Sequence, residues 1–140
     1  MPRIEPLSFY LLRIYLFTVD HVMGLIPLLR SAMYDADSFG SQNQLRMQVY
    51  GPHGIRSFVR FNLSITEVGL VGKYAVHELL REDEEPSVGC EKESLHVNEV
   101  PGMDIRPGDG GLWRGFTQSA DGEWSVDAGP LTHRGTLFSV

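Results

Sequence analysis

One cysteine, Cys90, stands in the 140 residues of this chain. A lone thiol excludes an intramolecular disulfide, a cysteine-based zinc site and a CxxC redox pair. Lysine is almost as scarce. Lys73 and Lys92 are the two in the chain, so arginine supplies nearly all of its 12 basic residues. Set against 18 acidic residues they leave a net charge of −6. An acidic chain without clustered cations is not expected to bind nucleic acid, because phosphate contacts need grouped Lys and Arg. An unbroken transmembrane run is also missing. The most apolar stretch, Leu7 to Leu29, contains Arg13, Asp20 and His21, and each mid-span charge costs at least ~2.5 kcal/mol on insertion. Glu5 follows Arg3, and no small-residue cleavage site comes after the apolar run, so no signal peptide is read. These absences together predict a cytoplasmic location.

A hydrophobic fraction of 42% and a charged fraction of 21% are ordinary for a folded protein and exclude wholesale disorder. The length suits one domain over residues 1–140, with an apolar, helical segment over 1–44 and a sheet over 45–140. In the first segment Leu7, Tyr10, Leu11 and Ile14 follow helical spacing, as do Val22, Leu25, Ile26, Leu29 and Met33. A strand over residues 14–19 is the alternative, since Ile, Tyr, Phe, Thr and Val favour sheets. Asp20 is a candidate N-cap. From Leu45 the period changes to two. Leu45, Met47 and Val49 alternate with polar partners, Gly51-Pro52-His53-Gly54 reads as a turn, and Val59, Phe61, Leu63 and Ile65 alternate again. The two runs are expected to pair as a β-hairpin. Further strands are expected over 71–80 (with a helix over 77–81 as alternative), 88–100, 112–119 and 132–140. Asp121-Gly122 is a hairpin-turn pair, with Trp124, Val126 and Ala128 alternating beyond it. The fold class that follows is mainly β (α+β): N-terminal apolar helices, then an antiparallel β-meander closed into a barrel or strongly curved sheet.

Motifs for chemistry are equally sparse. His21, His53, His77, His96 and His133 show no metal-ligand spacing. Gly108-Asp109-Gly110-Gly111 lacks the lysine of a phosphate loop. The acidic run Glu82-Asp83-Glu84-Glu85 lacks the ligand alternation of a calcium loop. No metal and no cofactor is therefore expected. What remains is aromatic and Arg content on expected strands. Arg60, Tyr74, Trp113, Phe116 and Trp124 are the candidate ligand-binding residues, because alternate positions of a closed barrel face inward and aromatic walls make small-molecule pockets.

Val71-Gly72-Lys73-Tyr74, Glu78-Leu79, Val88-Gly89, the run Arg106-Pro107-Gly108-Asp109-Gly110-Gly111-Leu112, and Asp121-Gly122 occur in that order between Gly69 and Gly129. This series resembles the small β-barrel cyclases of spirotetronate polyketide pathways, relatives in architecture of allene oxide cyclases and dirigent proteins. The resemblance implies a barrel that restrains a flexible hydrophobic chain for a four-plus-two cycloaddition without a cofactor. It makes Tyr74, Trp113 and Trp124 pocket residues by position. The function expected at this point is a barrel binding small hydrophobic ligands, a cofactor-free cyclase or isomerase of polyketide- or terpenoid-like products. Its expected partners are a small apolar molecule and further copies of itself, and no nucleic acid. One alternative is a non-enzymatic, self-assembling or membrane-associated structural protein of the viral matrix type, using Leu7 to Leu29. Another is a helix-plus-curved-sheet cone with acid–base residues.

Overall fold

The computed structural model describes residues 12–15, 23–33, 42–67, 69–131 and 135–139. It contains β1 (Leu12–Tyr15), α1 (Leu25–Ala32), β2 (Leu45–Pro52), α2 (Ile55–Thr66), β3 (Lys73–Leu79), β4 (Glu99–Val100), β5 (Asp104–Ile105), a 3-10 turn (Asp109–Gly111), β6 (Trp113–Gln118), β7 (Ser125–Leu131) and β8 (Gly135–Ser139). The first five strands form a parallel sheet in the order β1-β2-β3-β4, and β5 also pairs with β3. The last three form an antiparallel sheet in the order β6-β7-β8. The chain does combine helices with many strands, as expected. The barrel does not appear among the described residues, and the first sheet is parallel rather than a meander.

Parallel neighbours need a long crossover, and the helices supply it. One apolar core joins α1 through Leu25, Leu29 and Met33, α2 through Ile55, Val59 and Leu63, and the sheet through Met47, Val49, Tyr74 and Val76. Both helices therefore cover the same sheet face. The opposite face carries Tyr50, His77 and Leu79. The rings of Tyr50 and His77 stack with centroids 4.5 Å apart, Phe116 lies 5.4 Å from Tyr50, and Leu79 packs with Trp113 and Ala128. Burial on both faces explains why β3 shows no in–out alternation: every residue after Lys73 is buried.

Residues 55–66 correct the sequence reading most sharply. They form a helix, not the second strand of a hairpin. Ile55, Val59 and Leu63 satisfy both periods, so they cannot discriminate. The buried set 55, 56, 59 and 63 does, because that is the helical spacing facing the core, whereas a strand would bury 57 and 61 and not 56. Phe61 and Ile65, counted as inward in a strand, are 62% and 60% exposed. Polar side chains also serve the helix. Asn62 Nδ2, Ser64 Oγ and Thr66 Oγ1 each donate to the carbonyl four residues back, at 2.8, 2.8 and 2.6 Å. Leu12–Tyr15 is a strand, which overlaps the alternative strand reading of 14–19 at Ile14 and Tyr15 and corrects the helical reading at Ile14, while residues 16–19 lie outside the described residues and α1 falls inside the expected second helix. Asp20, proposed above as its cap, lies outside the described residues, and the residue before the helix is Gly24. Residues 88–98 are irregular, with just β4 surviving of the expected strand. The expected hairpin at Asp121-Gly122 does form, with β6 and β7 antiparallel and Gly122 at φ 75°. No described helix is long and apolar enough to cross a membrane.

Candidate functional site

Open sheets with parallel strands place ligand sites beyond the strands' carboxyl ends, where successive loops converge. Here the register sets Tyr15 beside Tyr50, Pro52 beside Leu79, and Leu79 beside Ile105. The loops leaving β2, β3 and β5 therefore begin side by side. The β2 exit holds His53, which is exposed, and Gly54 in a left-handed conformation at φ 100°. The β3 and β5 exits are tied by Trp113. Its indole Nε1 donates to the carbonyls of Leu80 at 3.0 Å and Ile105 at 3.1 Å. Arg106, at the β5 exit, donates from Nη1 to the carbonyls of Arg81, at 2.8 Å, and of Glu84.

The N-terminus of α2 opens onto the same edge, but Glu78 occupies it. The buried carboxylate accepts from the backbone N–H of Gly54 at 3.2 Å and of Arg56 at 3.0 Å, and from the Ser87 N–H at 2.9 Å and the Ser87 hydroxyl. An internal carboxylate thus takes the place an anionic ligand would have there. Arg56, fully buried, turns the other way. Nε donates to Val76 O at 3.1 Å, Nη1 to Val88 O at 3.2 Å and Nη2 to Met103 O at 3.0 Å, and Nη1 pairs with Asp104 at 2.8 Å. One turn later Arg60 holds Glu99 with both oxygens at 2.8 Å. That hydrogen-bonded pairing raises the Arg60 pKa further above its ordinary value. The two arginines fasten the excursion between β3 and β5 to α2.

His77 sits beneath this excursion and is 4% exposed. Met103 N–H donates to its Nδ1 at 2.9 Å, which leaves the proton on Nε2, 2.8 Å from Gln48 Oε1. Burial, with the nearby Arg56 charge adding to it, lowers its pKa to about 4. Both nitrogens are engaged, so His77 is a structural link rather than a free base. His96 also lies below its usual value, chiefly through burial.

The structure divides the five expected ligand-binding residues. Arg60, read on a strand, is on α2. Its partner Glu99 lies 3.5 Å from the hydroxyl of Tyr74, which points to the helical face of β3. Burial raises the Tyr74 pKa well above the phenolic range. Trp113 and Phe116 lie on the opposite face. Trp124 is 38% exposed in the β6–β7 turn, where its N–H donates to Ser119 Oγ at 3.2 Å. The parallel sheet thus separates Arg60 and Tyr74 from Trp113 and Phe116.

Comparison with curated proteins points to different chemistry. The chain is 33% identical over 81 residues to human zinc phosphodiesterase ELAC protein 1, covering 58% of this chain and 22% of that protein. It is 36% identical over 64 residues to ribonuclease Z of Streptococcus uberis, covering 46% and 19%. The mouse zinc phosphodiesterase ELAC protein 1 is 30% identical over 81 residues, covering 58% and 22%. The matches span about a fifth of the length of these relatives. No family model and no solved structure matches the chain.

These similarities overturn the spirotetronate-cyclase resemblance and the cofactor-free cyclase or isomerase function built on it. Short glycine dipeptides in turns recur across β-rich proteins, and they carried that resemblance. The matrix-type structural alternative gains no support. The exclusion of nucleic acid is also overturned, because one relative is a ribonuclease. The net charge on which that exclusion rested sums over the whole molecule. Six acidic residues, Glu82, Asp83, Glu84, Glu85, Glu91 and Glu93, sit in the excursion after β3, and all but Glu84 are exposed.

Sequence reasoning missed the carboxyl-edge loops as a site. The signal was present in Tyr50-Gly51-Pro52-His53-Gly54, a strand end followed by a glycine and the 55, 59, 63 helical series. Read as a turn between two strands, it lost its meaning.

Proposed function

We propose that this chain belongs to a phosphodiesterase acting on RNA and carries part of its substrate-facing scaffold at the carboxyl edge of the parallel sheet. The observation that carries the reading is the similarity to a zinc phosphodiesterase and a ribonuclease. The parallel sheet, whose loops converge on one edge, supports it.

Among the described residues no group of three or more His, Cys, Asp and Glu could hold a metal ion. His77 has both nitrogens occupied, and Glu78 is consumed by four donors. The described residues do not fit a zinc ion. Asp20, His21 and His133 lie outside the described residues.

The described residues supply position. Glu78 fixes the start of α2 and hence the placement of His53. Trp113 locks the exits of β3 and β5 together. The deciding experiment is binding of an end-labelled RNA oligonucleotide by the purified chain, followed by fluorescence anisotropy with added zinc and after chelation. Saturable binding that survives chelation is the expected result. No RNA binding by the chain under either condition would overturn the reading.

A further inference from the structure

Arg46 lies at the amino end of β2, where the register with β3 shifts between Leu45 and Met47. Gly72, at φ 91°, makes room for it. A Cβ there would lie 2.7 Å from Arg46 Cδ and 2.9 Å from Nε. The left-handed backbone favours glycine there, and any side chain at this position would displace Arg46. Arg46 as a whole is half-buried, yet its Nε and Nη2 are shut away from solvent with no hydrogen-bond partner among the described residues.

Those two nitrogens form one edge of the guanidinium. The same edge of Arg60 grips both oxygens of Glu99, each at 2.8 Å. Arg60 therefore shows what an Arg edge in this fold takes when it is buried: an oxyanion with two oxygens side by side. Arg46 presents the same fork without an acceptor. Burying ionised donors unpaired is costly, and a bidentate oxyanion is the group whose geometry removes that cost. Lys73, next to Gly72, adds a second cation at this end of the sheet, with its Nζ donating to Val97 O at 2.6 Å.

We propose that the Arg46 edge is a phosphate-binding subsite at the amino end of β2, set apart from the carboxyl-edge site and seated on Gly72. The choice of phosphate over carboxylate rests on the phosphodiesterase reading; the anion fork itself does not. The phosphate group belongs either to an RNA strand or to a small phosphorylated molecule. On binding, the fork turns from its buried position and holds two phosphate oxygens, one on Nε and one on Nη2.

The test follows the Arg46 Nε–H resonance of the whole chain during titration with inorganic phosphate, then with an RNA oligonucleotide, then with acetate. A saturable shift with phosphate is expected; in R46K, which keeps the charge and loses the fork together with its Nε–H, the backbone amide of Gly72 reports binding in both proteins and should show it weaker by at least tenfold. Saturation by the oligonucleotide at far lower concentration assigns the subsite to RNA; equal or weaker binding assigns it to small phosphates. An unmoved Arg46 Nε–H in wild-type protein at tens of millimolar phosphate would overturn the proposal, and so would an R46K variant that binds as tightly. A response to acetate alone would also overturn it. Because wild-type protein carries the primary readout, a poorly folded variant does not blunt the test. Phosphate binding at Arg46 without RNA binding by the chain leaves this subsite standing and the function reading failed; RNA binding with a silent Arg46 gives the converse.

Discussion

β3 and β6 are both strands of six or seven residues, yet they are held in different ways. β3 lies between helices and the second sheet, and Tyr74 through Leu79 are all buried. β6 is buried only in part: Trp113 and Thr117 are buried and Phe116 half-buried, while Arg114, Gly115 and Gln118 are exposed. The two-sided strand brings polar groups into the interior with it, namely His77 and Glu78, and beneath them Arg56 and Glu99. Each has its partners, so the parallel half combines an apolar core with a satisfied polar network. The antiparallel half depends more on turn chemistry and on Trp113. Strain at a buried polar contact should therefore unsettle the first half far more than strain at a turn unsettles the second.

The largest break in that comparison comes from Arg56→Ala. It strands three backbone carbonyls and Asp104, and should cost about 4 kcal/mol in a urea melt. A cost under about 1 kcal/mol would show that the network is incidental. Next is Leu63→Ala, which empties a fully buried position on α2 and should cost about 3 kcal/mol.

Acid gives a similar effect through His77. Its folded pKa, about 4, lies below the unfolded value of 6.5. The unfolded chain binds the extra proton first, so the His77 contribution is complete above the unfolded pKa and is lost as pH falls from there to the folded pKa. The loss should amount to roughly 2–3 kcal/mol. Protonated Nδ1 would also face the Met103 N–H, donor against donor. Denaturant midpoints measured across that window check it, and a flat profile in wild type counts against a buried neutral His77. Smaller again is Gly122→Ala in the β6–β7 turn. With φ at 75° and open space around the added carbon, about 1 kcal/mol is expected from backbone strain alone. The smallest effect sharpens the helix assignment. Phe61→Ser on exposed α2 should change stability by less than about 0.5 kcal/mol, whereas an inward-facing strand residue would lose several times that.

The same contrast explains what the sequence disclosed. The antiparallel end was legible because its signals are local: Asp121-Gly122 turns the chain, and Trp124, Val126 and Ala128 alternate beside it. The run at 71–80 was legible as a strand from its apolar density, yet its parallel partners were not. Parallel pairing is set by the crossover helices, and α2 hid its period behind four apolar residues that alternate by coincidence. The polar network was illegible for a further reason. Arg56 and Asp104, or Arg60 and Glu99, are far apart in sequence, and nothing local marks either as buried. Of the candidate site, His53 and Gly54 were visible as a turn. Their meaning depended on β2, β3 and β5 ending side by side, which is a tertiary fact.

RNA is proposed to meet this chain at the carboxyl edge of the parallel sheet. Hydrogen–deuterium exchange of the whole chain with and without a non-cleavable RNA analogue tests it most directly. The account predicts slowed exchange at His53 and Gly54, at Leu80 and Arg81, and at Arg106. Protection confined to the exposed Phe61 and Ile65 side of α2, or none at saturating RNA, would contradict it.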